Sequence, residues 1–214
     1  MIKVSLVLKE IIEKDEIVLE ALRLNILNIS AYSKLIQAKI EEKCKKEVRL
    51  GTIIVAISRL AVKIRKTSSL KLKIYINDIV VKTPLSVISY EKTSSNLTKL
   101  SIFQKLIVNQ NDFFTVTLGV DEITIVCSKN LVEKVKQKFE DEPKSFLDNL
   151  MGVTIKFPEK YLKIPNILYT FITKIATKRI NLIEVISTHS EITFIINNKD
   201  LKLINTVLEE FLEK

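Results

Sequence analysis

Hydrophobic positions recur with a helical period through the first third of the chain. Between residues 2 and 27, Val4, Val7, Leu8, Ile11 and Ile12 form one stripe, and Ile17, Leu19, Leu22 and Leu24 form a second. Asp15 stands between them and is of a type that caps a helix start, so two helices are predicted. Ser30 is expected to cap a third helix over 31–43, striped by Leu35, Ile36 and Ile40. A fourth is expected from Thr52, just after Gly51. There Ile53, Ile57, Leu60, Ala61 and Ile64 repeat at i, i+4, i+7, i+8 and i+11. The polar run Thr67-Ser68-Ser69 marks a domain boundary, which makes 1–69 a helical domain.

After residue 69 the period changes to two. Leu70, Leu72, Ile74 and Ile76 alternate with Lys71, Lys73, Tyr75 and Asn77, which predicts a half-buried strand over 70–76. Asn77-Asp78 is a turn candidate, and strands are expected at 79–82 and again from Leu85 and Val87 to Ile88. A helix over 96–108 follows, with Leu97, Leu100, Phe103, Leu106 and Ile107 on one face. Strands 112–118 and 121–127 come next, then a helix at 130–139 carrying Leu131, Val132, Val135 and Phe139. Asp141-Glu142-Pro143 reads as a linker.

That order then recurs. Val153, Ile155 and Phe157 alternate as a strand, Pro165 opens a helix over 165–178, strands 181–187 and 191–197 follow, and a helix over 200–212 comes last. Glu122-Ile123-Thr124-Ile125-Val126 aligns with Glu191-Ile192-Thr193-Phe194-Ile195 at an offset of 69. At that offset Val132 and Val135 fall on Leu201 and Ile204, and Leu106 falls on Ile175. The chain thus carries two copies of a β-α-β-β-α unit, about 70–143 and 144–214. Such a unit needs a fourth strand to make a ferredoxin-like antiparallel sheet with helices on one face, an α+β fold. Strand 70–76 is expected to complete the sheet of the second unit.

Composition narrows the chemistry. Glycine occurs 3 times in 214 residues, at Gly51, Gly119 and Gly152, and these are too far apart for a glycine-rich phosphate loop. The single histidine, His189, excludes a two-histidine metal site. His189 lies among Ser187, Thr188, Ser190 and Glu191, but neighbours in one hairpin cannot converge as a catalytic triad. Cys44 and Cys127 show no metal-binding spacing and are expected to be buried free thiols. No cofactor, metal or catalytic residue is expected. The longest uncharged runs, Leu24–Ser33 and Ile164–Thr173, are ten residues each, half of what a membrane-spanning helix needs. The start of the chain lacks the apolar core of a signal peptide, so a cytoplasmic protein is expected.

One stretch carries a family resemblance. Ile164-Pro165-Asn166-Ile167-Leu168-Tyr169, then Arg179-Ile180-Asn181-Leu182-Ile183-Glu184-Val185-Ile186-Ser187-Thr188, then Glu191-Ile192-Thr193-Phe194 resembles the regulatory ACT domain of aspartokinases. The resemblance covers about 152–212 directly, and 70–140 through the duplication, which matches that family's tandem arrangement. The first 69 residues are too short, too helical and too poor in glycine to be a kinase domain, so the resemblance implies a regulatory module without its enzyme. It also implies a small ligand, often an amino acid, between the first strand and first helix, at an interface between ACT units. By position the ligand residues are Lys163, Ile164, Pro165, Asn166, Ile167 and Leu168, facing the strand start Asn181, Leu182 and Ile183. Asn166 stands where the family commonly has glycine, and Lys163 where it commonly has an acid, which favours an anion. A homodimer is expected by the same resemblance.

The charge is uneven. Of a net +9, residues 1–68 hold +6, from 14 Lys and Arg against 8 Asp and Glu. The segment from Ser30 to Lys66 looks like a helix-turn-helix, with Arg49, Thr52, Ser58, Arg59, Lys63 and Lys66 as candidate DNA contacts. Its turn, about 44–51, is longer than usual, and Val55 and Val62 share the same face. Three function classes follow: a non-enzymatic amino-acid sensor, a DNA-binding regulator with such a sensor, and a ligand-free dimerisation scaffold.

Overall fold

The computed structural model describes residues 3–67, 69–70, 72–100 and 111–212. The chain divides into two compact bodies, 1–72 and 73–214.

The first body is built from four helices, α1 (Val4–Glu13), α2 (Glu16–Arg23), α3 (Ile29–Cys44) and α4 (Leu50–Ile64). The Asp15 carboxylate accepts the Val18 amide at 3.0 Å and caps α2, as its position between the two stripes predicts. The cap of α3 is Asn28 and not Ser30: Asn28 Oδ1 accepts the Ala31 amide at 3.0 Å. α4 also starts earlier than expected, with Arg49 at its N-cap and Leu50, Gly51 and Thr52 in its first turn. The stripes meet in one core, where Leu8, Ile12, Ile40, Ile53 and Ile57 are almost fully buried. Glu20 closes the body near its end. It pairs with Arg23 and accepts the Ser69 hydroxyl at 2.9 Å, and its carboxyl is lowered to about 2, chiefly by Arg23.

The second body is a six-stranded antiparallel sheet: β1 (Asp78–Glu91), β2 (Phe114–Leu118), β3 (Glu122–Ser128), β4 (Ser145–Lys156), β5 (Leu182–Ser187) and β6 (Glu191–Asn197). Their order is β2-β3-β1-β4-β6-β5. Helices α5 (Ser94–Lys99) and α6 (Val132–Lys136) cover one half, and α7 (Ile167–Thr177) and α8 (Leu201–Leu212) the other. This is the α+β architecture the duplication implies.

The two units share their strands. The first uses β2-β3-β1-β4 and the second β5-β6-β4-β1, so each takes the other's first strand as its fourth. The strand that completes the second unit is therefore the start of β1, where Asp78–Lys82 pairs with Gly152–Lys156. The strand expected over 70–76 is absent among its described residues, 70 and 72–76. Ile74 and Ile76 nevertheless pack on the second unit's core, and the Asn77 amide donates to the Lys156 carbonyl at 2.8 Å. Asn77-Asp78 is thus the entry to β1 and not a turn, and the two short strands expected at 79–82 and 85–88 are one. The register shifts at Thr83-Pro84 on β1 and again before Val87, with Asn149 left-handed on β4. Proline has no amide to donate and sits where the ladder is broken.

Both faces of the sheet carry apolar clusters. On the helix side, Phe171 touches Phe157, Phe194 and Phe211, and Tyr90 stacks on Phe139 with ring centroids 3.8 Å apart. On the other face Leu85, Val87, Val126, Leu150 and Ile195 are buried, joined by Phe113, Ile183 and Ile186 from the outer ends of the sheet. Phe103, Leu106 and Ile107 of the expected helix 96–108 lie outside the described residues; α5 covers its start. Cys44 and Cys127 are buried free thiols, and burial pushes the Cys127 thiol up to about 12.

Two glycines predict opposite outcomes. A Cβ at Gly152 would lie 2.8 Å from Leu85 Cδ1 inside the cluster that joins β1 to β4. Gly152→Val should lower stability by about 1–3 kcal/mol through overpacking. Gly51 is helical and a Cβ there meets nothing, so Gly51→Ala should be neutral or raise stability by up to about 1 kcal/mol. Thermal melts of both variants check this; a harmless Gly152→Val would contradict the packing described.

Candidate functional site

The loop between β4 and α7 begins with Phe157 and Pro158 and winds through a 3-10 turn, Glu159–Lys163. Tyr161 anchors it: its side chain is buried, and its hydroxyl accepts the Tyr75 amide at 2.9 Å. Lys163, Ile164, Pro165, Asn166 and Leu168 are exposed, and Ile167 is half-buried against the core. Pro165 precedes the helix and does not lie in its first turn; the N-cap is Asn166. Asn166 is left-handed, at φ 71° and ψ 14°. That conformation favours glycine, and asparagine is among the other side chains that tolerate it best. The Asn166 side chain makes no cap bond to α7, while its carbonyl accepts from Thr170. Glu159, the acid nearest the loop, lies 3.7 Å from His189 Nε2, and both are exposed.

The facing residues lie elsewhere on the sheet. Leu182 pairs with Ile196, which pairs with Met151, whereas the loop leaves from Lys156 beside Glu191. Asn181 is exposed, Leu182 packs on the helix-side core, and Ile183 sits at a register shift and packs on the opposite face. Asn181–Ile183 and Lys163–Leu168 therefore stand at opposite ends of their strands, and one chain does not bring them into a single pocket.

The matching strand start in the first unit is better formed. A cleft of about 380 Å³ lies where β1 breaks at Thr83-Pro84 and where β2 begins and β3 ends. Lys82 and Lys129 bring two ammonium groups to it, and Asp112 a carboxylate. Lys82 Nζ donates to the Asn111 carbonyl at 3.1 Å, and Lys129 Nζ lies 3.1 Å from Asp148. Asn130 donates to Asp112 at 3.2 Å, and Ser128 Oγ accepts the Phe113 amide at 2.8 Å. Hydrogen bonds to the Asn149 amide, the Ser86 hydroxyl and Lys129 hold the Asp148 carboxyl below its ordinary value. None of the cleft's residues is among the ligand residues that the family resemblance implies. The cleft's signal was present, since the offset of 69 that relates the two units carries Asn181 onto Asp112.

In the first body the candidate DNA contacts Arg49, Thr52, Ser58, Arg59, Lys63 and Lys66 are all exposed along α4 and its ends. The turn ahead of α4, Lys45–Arg49, is clamped: Gln37 donates to the Val48 carbonyl at 3.0 Å, and the Val48 amide donates to Glu41 at 2.9 Å. Val55 and Val62 are half-exposed on that same side. Among the described residues no cluster of three metal-ligating side chains occurs, and no helix is long and apolar enough to cross a membrane.

No family model matches the chain, and no curated protein matches it. Solved structures do. The regulatory subunit of aspartate kinase from Thermus thermophilus, in its ligand-free form, is similar at a TM-score of 0.51 and 10% identity, over 64% of this chain and 99% of that one. A structure of aspartokinase alpha and beta subunits gives 0.52 and 10%, over 65% and 100%. The regulatory subunit from Thermus flavus gives 0.50 and 9%, over 64% and 99%. The chain therefore carries the fold of aspartokinase regulatory subunits, as its sequence resemblance implies.

Asn166→Gly should leave stability unchanged or raised, and Asn166→Val should lower it by about 1–2 kcal/mol, because a β-branched side chain resists the left-handed conformation. Melting both variants checks this; equal midpoints would contradict the backbone described here.

Proposed function

We propose that the second body is a non-enzymatic regulatory module that binds a small molecule, an amino acid or a small anion. The observation that carries this is the cleft beside Thr83-Pro84, where Lys82, Lys129 and Asp112 converge. Two ammonium groups lining one cleft suit a carboxylate, and the Asp112 carboxylate in the same lining suits an α-ammonium group. Its volume is that of a small-molecule pocket. The likeness to regulatory subunits spans nearly the whole of those chains, which supports a regulatory module. The loop Lys163–Leu168 is the second place for a ligand, and it needs a second copy to supply a facing strand start, which favours a homodimer. DNA binding by α4 is the weaker alternative for the first body, because Val55 and Val62 interrupt its cationic face.

Thermal shift against the twenty amino acids and common small anions tests the proposal. A ligand at one hundred times its dissociation constant should stabilise the native state by about 2.7 kcal/mol. Lys82→Met or Asp112→Asn should remove the shift without changing the unliganded midpoint by more than a degree or two. No shift with any of these compounds would leave the scaffold function in its place.

A further inference from the structure

The first body carries a groove that the small-molecule function does not use. It runs between α1 and α4 as two adjoining clefts of about 330 and 660 Å³, which share Ser5, Ala56 and Arg59. Along α4 it extends from Gly51 to Lys63, about 18 Å at 1.5 Å per residue, the length of a three-turn helix. Its floor combines small side chains with exposed apolar ones. Ser5, Gly51 and Ala56 leave room for close approach, and Leu6 and Val55 are 59% and 50% exposed within it. Its rim is cationic, with Lys3, Lys9, Lys46, Arg59 and Lys63 contributing and no acidic residue among the lining side chains. Lys9 has a partner, Glu13, at 3.5 Å. Among the described residues no carboxylate lies within ion-pair distance of Lys46, Arg59 or Lys63.

We propose that this groove receives an acidic amphipathic helix of a protein partner, its apolar stripe on Leu6 and Val55 and its carboxylates against the rim. Charge complementarity selects the occupant. Five cations on the rim, of which Lys9 alone among Lys9, Lys46, Arg59 and Lys63 has an acidic partner, call for an anion, and a half-exposed leucine in one cleft and valine in the other call for an apolar face between its charges. A DNA backbone supplies the charge without the apolar stripe, and would leave Leu6 and Val55 against phosphate. A flat anionic membrane supplies both, but does not enter a groove between two helices. The inference concerns the first body and stands apart from the ligand proposal for the second.

The test uses the full chain and a fluorescein-labelled, fourteen-residue helical peptide with leucine at i, i+3, i+4 and i+7 and glutamate at most other positions. Controls are a shuffled peptide of the same composition, a peptide with lysine for glutamate, a random-sequence DNA duplex and phosphatidylserine vesicles. Fluorescence anisotropy should show binding of the acidic amphipathic peptide at least tenfold tighter than either control peptide. Arg59→Glu should weaken it at least tenfold. Gly51→Phe, which adds a bulky side chain to the groove lining at a position where an added Cβ meets nothing within 4 Å, should do the same while circular dichroism stays unchanged. Equal binding of the shuffled peptide would overturn the proposal by showing charge attraction alone. Arg59-dependent binding of the duplex or the vesicles, with none of the peptide, would overturn it in favour of those partners.

Discussion

The pairing of β1 with β4 is the interaction on which the second body depends. Neither β-α-β-β-α unit contains four strands of its own. Each becomes a complete sheet only by borrowing the other's first strand, and both loans are made along one antiparallel ladder from Asp78–Lys156 to Ser89–Ser145. Leu85 and Leu150 lie at the centre of that ladder with Gly152 beneath them, where a larger residue would collide with Leu85 and Ile195. A shared strand pair of this kind makes the two units one cooperative structure, since loss of either strand removes a neighbour from both halves.

The same arrangement places the candidate sites. Because β1 and β4 run antiparallel, the loops that leave them emerge at opposite ends of the sheet. The irregularity that lets the ladder pass from one unit's register to the other's, at Thr83-Pro84 and Asn149, also opens the cleft. Lys82 reaches it from β1, Lys129 from the end of β3 and Asp112 from the start of β2. The chemistry of the cleft is thus a by-product of how two copies of one unit are joined.

Much of this was legible in the sequence, for physical reasons that also mark the limit. The helical stripes around Asp15 and along Ile53, Ile57 and Ala61 report one buried face, and the helices are where the stripes are. The matched order of elements at one offset exposed the duplication, and with it the fold. Strand 70–76 failed because alternation measures one-sided burial and not hydrogen bonding: Ile74 and Ile76 do face a core, yet the ladder begins only at Asp78. The sequence pattern breaks β1 into pieces because Leu85 to Tyr90 is buried on both faces and a bulge shifts its phase. Asn28 displaced Ser30 as a cap because both are good cap residues and only the entry geometry chooses between them. The cleft has no local signature, since its residues meet only through strand pairing.

Hydrogen exchange on the full chain tests the sharing of strands most directly. Val135→Ala opens the core between α6 and the first half of the sheet, a cluster that includes Ile88 and Tyr90 of β1 but no residue of β4, β5 or β6. If the two units stand or fall with the shared ladder, amide protection should fall by the same factor in β6, at Ile192–Ile196, as in β3, at Ile123–Cys127. Protection lost in β3 and kept in β6 would show two independent units and contradict the account.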